Sequence, residues 1–313
     1  MNDIAYKQAI QAIVKAKFKG HKKRICKTKP IYPQGVEREF QRLTDAYMKV
    51  LNDVVKEYLP EIKSAAAANL TDGYRQDGLP DPLRAISDIF SRMMNRLLEK
   101  LDSFPMIEKL GKVAYRAQKL SIREWKRAVH ATLGIDILED YYKGEFYREM
   151  LERWIDTNVS LIKTIPQESL EEMRHIVLEG YKSGKSTTAI IKEIQKEYDT
   201  SKHHARLLAR DQLAKLNGQL AKQQQQDAGA KEDIWSDSDD QRVRDCHAAL
   251  NGKRFRWDNP PEMWYWKGRK GQKIKVYTGR RCHPGEDYQC RCVALPVFDI
   301  DTIDLPVTGK GGE

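Results

Sequence analysis

The sequence predicts an α+β fold, in which a mainly α-helical N-terminal region is followed by a small α+β C-terminal module. Up to about residue 226, apolar side chains recur every three or four positions, which is the period of one helix face. After about residue 234 the chain is rich in Trp, Pro and Gly, and segments 273–277 and 292–297 alternate in polarity as half-buried strands do. The change of period marks the boundary between the two parts.

The helical region begins with a basic arm. Residues 3–18 have helical spacing and are followed by a basic break, so the arm is predicted to be a short helix plus a linker. The apolar residues of 36–58 outline a long amphipathic helix, which Pro60 is expected to close. Further elements are predicted as a connector over 65–82 and helices over 86–101, 110–118, 121–133, 136–163, 167–181, 186–198 and 201–226.

These patterns divide the chain into consecutive stretches. They are a basic N-terminal arm (1–30), a helical region (31–165), a helical part that leads into the C-terminal module (166–230), the module itself (231–304) and a disordered tail (305–313). A chain of 313 residues is long enough to bury at least one sizeable core.

Hydropathy and cysteine usage indicate where the protein is made. No stretch approaches the roughly 18 consecutive apolar residues of a membrane span, and the N-terminus lacks a signal peptide's apolar run and cleavage site. Four of the five cysteines lie between Cys246 and Cys292, whereas a disulfide framework would spread them more evenly. We therefore expect cytoplasmic synthesis, no membrane partner, and cysteines that are free or bind metal.

Positive charge is concentrated in two regions. Residues 1–30 contain nine Lys and Arg against one acid, and residues 252–292 contain eleven against four. Basic clusters of this kind favour contact with a polyanion such as double-stranded DNA, without sequence preference, although a solvated basic surface has the same composition. The residues predicted to contact DNA are Lys253, Arg254, Arg256, Lys267, Arg269, Lys270, Lys273, Lys275, Arg280 and Arg281.

The segment GYKSGKST, residues 180–187, is close to a phosphate-binding loop but does not fit one. Three residues separate Gly180 from Gly184 where that loop needs four, and a helix rather than a strand precedes it. The same residues suit a corner between two helices, because Gly184 can end the first and Ser186 or Thr187 can cap the second. We predict a helical corner and no nucleotide site.

Cysteine and histidine residues converge in the C-terminal module. Two adjacent pairs, Cys246-His247 and Cys282-His283, precede a Cys290-Arg-Cys292 motif. Thiolates and imidazoles are the ligands that zinc prefers, but neither C-H nor C-x-C is the usual C-x-x-C spacing. A metal site, a set of buried structural thiols and a redox pair therefore remain three open interpretations.

We predict that this Cys and His cluster has a structural role, whether it binds a metal or forms a set of buried thiols. A module of this size has a marginal hydrophobic core, so a metal ion or a dense thiol and aromatic core would help it to fold. If Zn²⁺ is bound, the preferred ligands come from different segments and tie the ends of the module together. These ligands are His247, His283, Cys290 and Cys292, with Cys246 and Cys282 as substitutes.

The order of motifs in the last third of the chain resembles a known family. The motifs are Ala205–Asp211, Trp235, Asp240, Val243-Arg244, His247, Leu250, Gly252, His283-Pro-Gly285 and Cys290-Arg-Cys292. Together they resemble the phage Mu F-like head morphogenesis domain of minor capsid proteins, and the helices from Gln167 onward agree with it. The segment MWYWKGRKGQKIKVYTGRRCH departs from the usual pattern, because it is insert-like, strongly basic and carries the additional Cys282.

The resemblance implies a non-enzymatic virion component of a tailed bacteriophage. Such proteins act in head assembly, where they associate with the portal protein, with scaffold or major capsid protein and in some cases with packaged DNA. The implied location is the capsid interior near the portal, after synthesis in the host cytoplasm.

Two other functions compete with this interpretation. An enzyme such as a nuclease would use His247 with Asp240 and Asp245 in the C-terminal module, although the sequence has no second acidic cluster with metal-binding spacing. A cellular nucleic-acid-binding protein would use the basic charge together with stacking aromatic side chains. Those aromatic residues are Trp257, Trp264, Tyr265 and Trp266.

Overall fold

A computed structural model describes residues 3–67, 82–269 and 272–305 of the chain. Most of the connector predicted over 65–82, nearly all of the tail predicted over 305–313, and Lys270 of the predicted DNA contacts lie outside the described residues. Within the described residues, no helix is both long and apolar enough to cross a membrane.

Helices account for most of the chain up to residue 227, which confirms the mainly α-helical N-terminal region. They are α1 (Asp3–Lys17), α2 (Gln34–Ala67), α3 (Pro82–Asp102), α4 (Met106–Leu133), α5 (Glu145–Lys182) and α6 (Thr187–Asp227), with a short 3-10 turn at Glu139–Lys143 before α5. A single short helix, α7 (Asp245–Leu250), lies in the described part of the C-terminal module.

Three long helices replace pairs of shorter helices that the sequence predicts. The expected breaks near residues 119, 165 and 200 do not interrupt α4, α5 and α6. Pro166 lies inside α5, and Ile162, Ile165 and Leu170 remain buried on both sides of it. The apolar stripe therefore continues through the proline, and its burial outweighs the one backbone hydrogen bond that the proline removes. Pro60 likewise lies inside α2 and does not close it.

The helical corner predicted at 180–187 is confirmed. Helix α5 ends at Lys182 and α6 begins at Thr187, with Gly184 between them at a φ of +68° that favours glycine. The Ser186 hydroxyl accepts a hydrogen bond of 3.2 Å from the backbone N–H of Ala189, as an N-cap does.

The C-terminal module contains a four-stranded antiparallel sheet. Its strands are β1 (Lys23–Ile25), β2 (Glu232–Ser236), β3 (Arg254–Arg256) and β6 (Val293–Asp299), in the order β1-β6-β2-β3. The first of them belongs to the basic arm, where Arg24 lies opposite Phe298 of β6. The segment predicted as a linker therefore includes an edge strand of this sheet, a long-range pairing that local sequence patterns do not reveal.

Two further strands form a separate hairpin. Strand β4 (Glu262–Lys267) pairs with β5 (Ile274–Arg281), with an irregularity in register between Glu262 and Trp264. The Thr278 hydroxyl donates a 2.9 Å hydrogen bond to the carbonyl of Met263 across the pair. Strands β5 and β6 confirm the two strand segments predicted from alternating polarity.

The described chain forms two compact units, and neither is continuous in sequence. One contains residues 1–36, 114–153 and 211–313, and the other contains 37–113 and 154–210. The sequence division into consecutive stretches does not show this arrangement, because the units are assembled by contacts between distant segments. The C-terminal module lies in the first unit together with the basic arm.

A close backbone approach joins the His283-Pro-Gly285 turn to α6 within the first unit. A Cβ atom placed on Gly218 of α6 would lie 3.0 Å from the Pro284 carbonyl oxygen and 3.4 Å from Cα of Gly285. Gly285 has a φ of +87°, and a Cβ there would lie 3.1 Å from the Ala214 carbonyl oxygen. Only glycine at both positions allows the turn and the helix to lie this close.

Replacing Gly218 by alanine should therefore destabilise the protein. The added methyl group meets backbone atoms that cannot rotate away, so the free energy of unfolding should fall by about 1–3 kcal/mol in urea denaturation. Gly111 of α4 is a matched control, because a Cβ there meets nothing within 4 Å. Gly111→Ala should raise the unfolding free energy by about 0.5–1 kcal/mol. A Gly218→Ala protein as stable as the wild type would contradict the close approach.

Candidate functional site

Three buried side chains converge at one point in the C-terminal module. His247 lies on α7, and Cys290 and Cys292 lie just before β6. The His247 Nδ1 atom is 3.7 Å from Cys290 Sγ and 3.6 Å from Cys292 Sγ. The three potential ligand atoms all lie within 4.8 Å of one another. Segments more than 40 residues apart in sequence thus meet at a single imidazole nitrogen.

The other nitrogen of the same imidazole is held by a carboxylate. His247 Nε2 lies 3.1 Å from Oδ2 of Asp287, which also accepts a 2.7 Å hydrogen bond from Nη1 of Arg244. A guanidinium nitrogen of Arg280 lies 3.4 Å from the second oxygen of Asp287. The Asp287 carboxylate is buried, so these cations supply the compensation that water would otherwise provide.

The pKa shifts follow from these contacts. Burial alone would lower the pKa of His247, but hydrogen bonds with Asp287, Cys246 and Cys290 outweigh it and raise that pKa to about 11. Burial would raise the pKa of Asp287, but the His247 hydrogen bond and the two guanidinium charges bring it below its usual value. The imidazole is therefore protonated beside an ionised Asp287.

The two thiols of the cluster differ in ionisation. A hydrogen bond with Cys292 is the main cause that lowers the pKa of Cys290 well below its usual value, and His247 adds to it. The same hydrogen bond, together with burial, raises the pKa of Cys292. The contact between the two sulfurs thus favours the thiolate form at Cys290 over that at Cys292.

Burial limits what this cluster does chemically. The order Cys290, His247, Asp287 matches a nucleophile, its base and an orienting acid. However, His247 and Cys290 are each only 3% exposed, and they lie in an apolar cluster with Trp235, Leu250 and Met263. The sulfur of Cys290 is therefore enclosed by neighbouring side chains. An enclosed set of two thiols and an imidazole suits a structural or ion-binding role.

His283 does not join this cluster. Its Nδ1 atom lies 3.1 Å from an oxygen of Asp233 on β2, although without hydrogen-bond geometry, and its ring lies 4.5 Å from that of Trp257. Burial raises the pKa of Asp233, and the contact with His283 opposes this shift. The structure thus brings together three of the four preferred zinc ligands, and His283 instead lies beside Asp233 and Trp257.

The two substitute ligands lie in the same apolar cluster. Cys246 hydrogen-bonds with His247, which lowers the pKa of Cys246 against the opposing effect of burial. Cys282 is half-buried, and burial is the main cause that raises the pKa of its thiol to about 11. Neither belongs to the group of three ligand atoms within 4.8 Å.

The sequence patterns did not identify Asp287, the carboxylate that lies beside His247. Asp240, which the enzyme interpretation used, accepts a hydrogen bond from the backbone N–H of Arg242, and Asp245 is exposed. The carboxylate beside His247 is Asp287. Its position three residues before Cys290 was the signal available, but choosing between acids needed the tertiary structure.

The predicted DNA contacts are spread over the module and have different partners. Arg254 and Arg256 lie within ion-pair distance of Glu232 and Asp258. Arg281 donates hydrogen bonds to Asn259 and to the carbonyl of Pro260. Lys253, Lys267, Arg269, Lys273 and Lys275 are exposed, with no carboxylate of the described residues within ion-pair distance.

The aromatic residues predicted to stack on bases differ in their exposure to solvent. Trp257 is buried against His283, which excludes it as a stacking surface. Tyr265 and Trp266 of β4 are 49% and 42% exposed, and Tyr277 of β5 is 56% exposed. The β4–β5 hairpin thus exposes three aromatic side chains.

Arg244 should be needed to keep the Asp287 carboxylate buried. Arg244→Ala leaves that carboxylate with weaker compensation, so the free energy of unfolding should fall by about 1–3 kcal/mol. Arg242 is the matched control, because it is exposed and lies 3.9 Å from Asp240. Arg242→Ala should change the unfolding free energy by about 0.5 kcal/mol or less. Equal effects of the two substitutions on chemical denaturation would contradict the role given to Arg244.

Comparison with known proteins identifies the segment that carries this site. Residues 171–295 match the family model described as Phage Mu protein F like protein. The chain is also 26% identical, over 223 residues, to an uncharacterized protein of Haemophilus influenzae. That alignment covers 70% of this chain and 46% of the length of the Haemophilus protein. No solved structure matches the chain. The resemblance predicted from the sequence is confirmed over residues 171–295, which are similar to the phage Mu F-like head morphogenesis family.

Proposed function

We propose that this protein is a minor head protein of a tailed bacteriophage and acts in head morphogenesis without catalysing a reaction. The observation that carries the proposal is the family match over 171–295, which includes α6, α7 and the His247, Cys290 and Cys292 cluster. The burial of that cluster supports a non-enzymatic role, because its one nucleophilic arrangement has no access to substrate. In this proposal the protein lies inside the capsid near the portal.

Association with portal and with scaffold or major capsid protein follows from the proposed location. The first unit carries large exposed side chains outside the module, including Tyr115, Tyr141 and Phe146, which are 58%, 39% and 50% exposed. Tyr141 and Phe146 flank the buried ring of Tyr147 at 6.3 and 5.7 Å. Exposed aromatic groups on a rigid buried base are typical of protein contact surfaces.

Proheads assembled with and without the portal protein test the proposed function. This protein should co-sediment with proheads that contain the portal and should be absent from shells assembled without the portal. Tyr115→Ser with Phe146→Ser should lower the amount retained in proheads, because contact area is lost. A double substitution of exposed charged residues, Lys49→Ala with Lys112→Ala, is the control. Equal amounts in portal-containing and portal-free shells would argue against portal association.

Contact with packaged double-stranded DNA is assigned in this proposal to the β4–β5 hairpin. From Met263 to Gly285 the sequence has no Asp or Glu, and it has seven Lys and Arg. Because Lys267, Arg269 and Lys273 are exposed near the connection between the strands, their charge is available to phosphates. A two-stranded ribbon of this kind also fits the major groove.

One face of the hairpin combines cation and aromatic groups. The Lys275 ammonium lies 4.3 Å from the Trp264 ring centroid and 4.8 Å from that of Tyr277. Trp264 and Trp266 are themselves in edge contact, with centroids 5.2 Å apart. These contacts order the Lys275 side chain over the aromatic surface, so less conformational entropy is lost when it meets a phosphate.

Removing the cations at the hairpin connection should weaken DNA binding at every sequence. The test is a triple variant that combines Lys267→Ala, Arg269→Ala and Lys273→Ala. The slope of log affinity against log salt concentration should become shallower by about 2–3 in this variant, since each lost phosphate contact contributes about 0.9 to the slope. Lys49→Ala with Lys112→Ala is again the control, because these lysines pair with Asp53 and Glu108. Fluorescence anisotropy with two unrelated duplexes provides the measurement. An unchanged salt dependence would refute the assignment to the hairpin.

A further inference from the structure

We infer that His247, Cys290 and Cys292 bind a Zn²⁺ ion, which is a structural centre of the C-terminal module. The ion would connect α7 to the segment that enters β6, two parts of the chain separated by the β3 strand and the β4–β5 hairpin. This inference concerns the fold of the module and does not depend on portal or DNA binding.

The distances between the donor atoms match a tetrahedral metal site. Zinc bonds are about 2.0 Å to imidazole nitrogen and about 2.3 Å to thiolate sulfur, so nitrogen and sulfur ligands of one tetrahedral ion lie about 3.5 Å apart. The observed Nδ1 to Sγ distances are 3.7 Å to Cys290 and 3.6 Å to Cys292. Both sulfurs approach the same nitrogen, as two ligands of one ion do.

The surroundings of His247 match those of a metal-bound histidine. A histidine that binds metal through one nitrogen typically donates the N–H of the other to a carboxylate, which fixes the tautomer and the ring orientation. Here Nδ1 faces the two sulfurs, and Nε2 lies 3.1 Å from Asp287. Arg244 in turn orients Asp287 through a 2.7 Å hydrogen bond. The ring is thus already held in the orientation that a metal bond through Nδ1 requires.

The donor set selects zinc over the common hard cations. Two thiolates and an imidazole favour a borderline or soft ion, whereas Mg²⁺ and Ca²⁺ prefer oxygen ligands. Tetrahedral zinc requires a fourth ligand. Cys246 lies in the same apolar cluster, so its thiolate or a water molecule would supply the fourth ligand.

The size of the module gives the ion a physical role. The apolar cluster around the site contains Trp235, Cys246, Leu250, Met263, Cys290 and Cys292, with three half-buried neighbours. A core of this size contributes little stability by itself, and a bound zinc ion adds folding free energy because the unfolded chain has no preformed site. Removing zinc should therefore loosen the module rather than stop a reaction.

Metal analysis of the full-length protein, purified without chelator and with reductant, is the primary test. The wild type should contain about one zinc per chain. Cys290→Ser, Cys292→Ser and His247→Ala should each contain less than about one fifth of that. The control is Cys26→Ser, because Cys26 is buried in the same unit but contacts the carbonyls of Thr28 and Ala128. This control should retain zinc even though a buried thiol is lost.

Two further measurements separate loss of a ligand from loss of the fold. His247→Cys keeps a zinc ligand at this position and should restore zinc content relative to His247→Ala. Cobalt added to chelator-treated wild type should give the intense near-ultraviolet absorption of cobalt–thiolate bonds, and Cys290→Ser should reduce it. In Cys246→Ser protein, loss of zinc identifies the thiolate as fourth ligand, and retention identifies water.

The inference would be overturned by wild-type protein that stays folded with less than one fifth of an equivalent of zinc after zinc is added under reducing conditions. It would also be overturned if Cys26→Ser lost as much zinc as Cys290→Ser. Since these measurements use purified protein without DNA or proheads, their failure leaves the proposed head function standing. Failure of the prohead and DNA assays likewise leaves the metal site standing.

Discussion

The pairing of β6 with strands on both of its sides is the constraint on which the C-terminal module depends. Strand β6 takes β1 of the basic arm along one edge and β2 along the other, so the two ends of the chain enter one sheet. Because the register fixes Val293 opposite Ser236, it also fixes the place of Cys290 and Cys292, which immediately precede the strand. A slip of one residue would exchange the side chains that β6 places on its two faces.

Two buried carboxylates of the module lie beside different histidines. Asp287 is neutralised by Arg244, Arg280 and His247. Asp233 of β2 lies against His283, with Nδ1 of His283 3.1 Å from Oδ1 of Asp233. Removing Arg244 or Arg280 would leave the buried Asp287 carboxylate with weaker compensation, so this set of charges restricts the module to one arrangement. The His283-Pro-Gly285 turn carries the second histidine, and its close approach to Gly218 ties the turn to α6.

The basic hairpin departs from the rest of the module in composition and in burial. Strand β6 is almost entirely buried, whereas β5 exposes most of its side chains. The hairpin joins no strand of the four-stranded sheet in the described residues. Both ends of the hairpin nevertheless lead into the buried cluster, through Met263 and Cys282. This combination of a fixed base and an exposed charged surface is what a polyanion-binding element requires, because little order has to be gained on contact.

Local patterns in the sequence determined the elements whose signals lie within a few residues. Helical stripes predicted the α-helical region, alternating polarity predicted β5 and β6, and the Gly184 and Ser186 pair predicted the corner between α5 and α6. The order of motifs from Ala205 to Cys292 also predicted the similarity to the phage Mu F-like family over residues 171–295. Each of these signals depends on contacts or on conformations that a short segment adopts by itself.

Only the tertiary structure decided which distant residues meet. Nothing in the spacing of the four C-terminal cysteines and two histidines distinguished His247 from His283, since each follows a cysteine. The fold turned His247 toward Cys290 and Cys292 and placed His283 against Asp233. The same applies to the continuous helix through Pro166, where burial on both sides of the proline outweighed a local break signal. Pairing, burial and charge compensation are free energies of the whole fold, so one-dimensional spacing could not assign them.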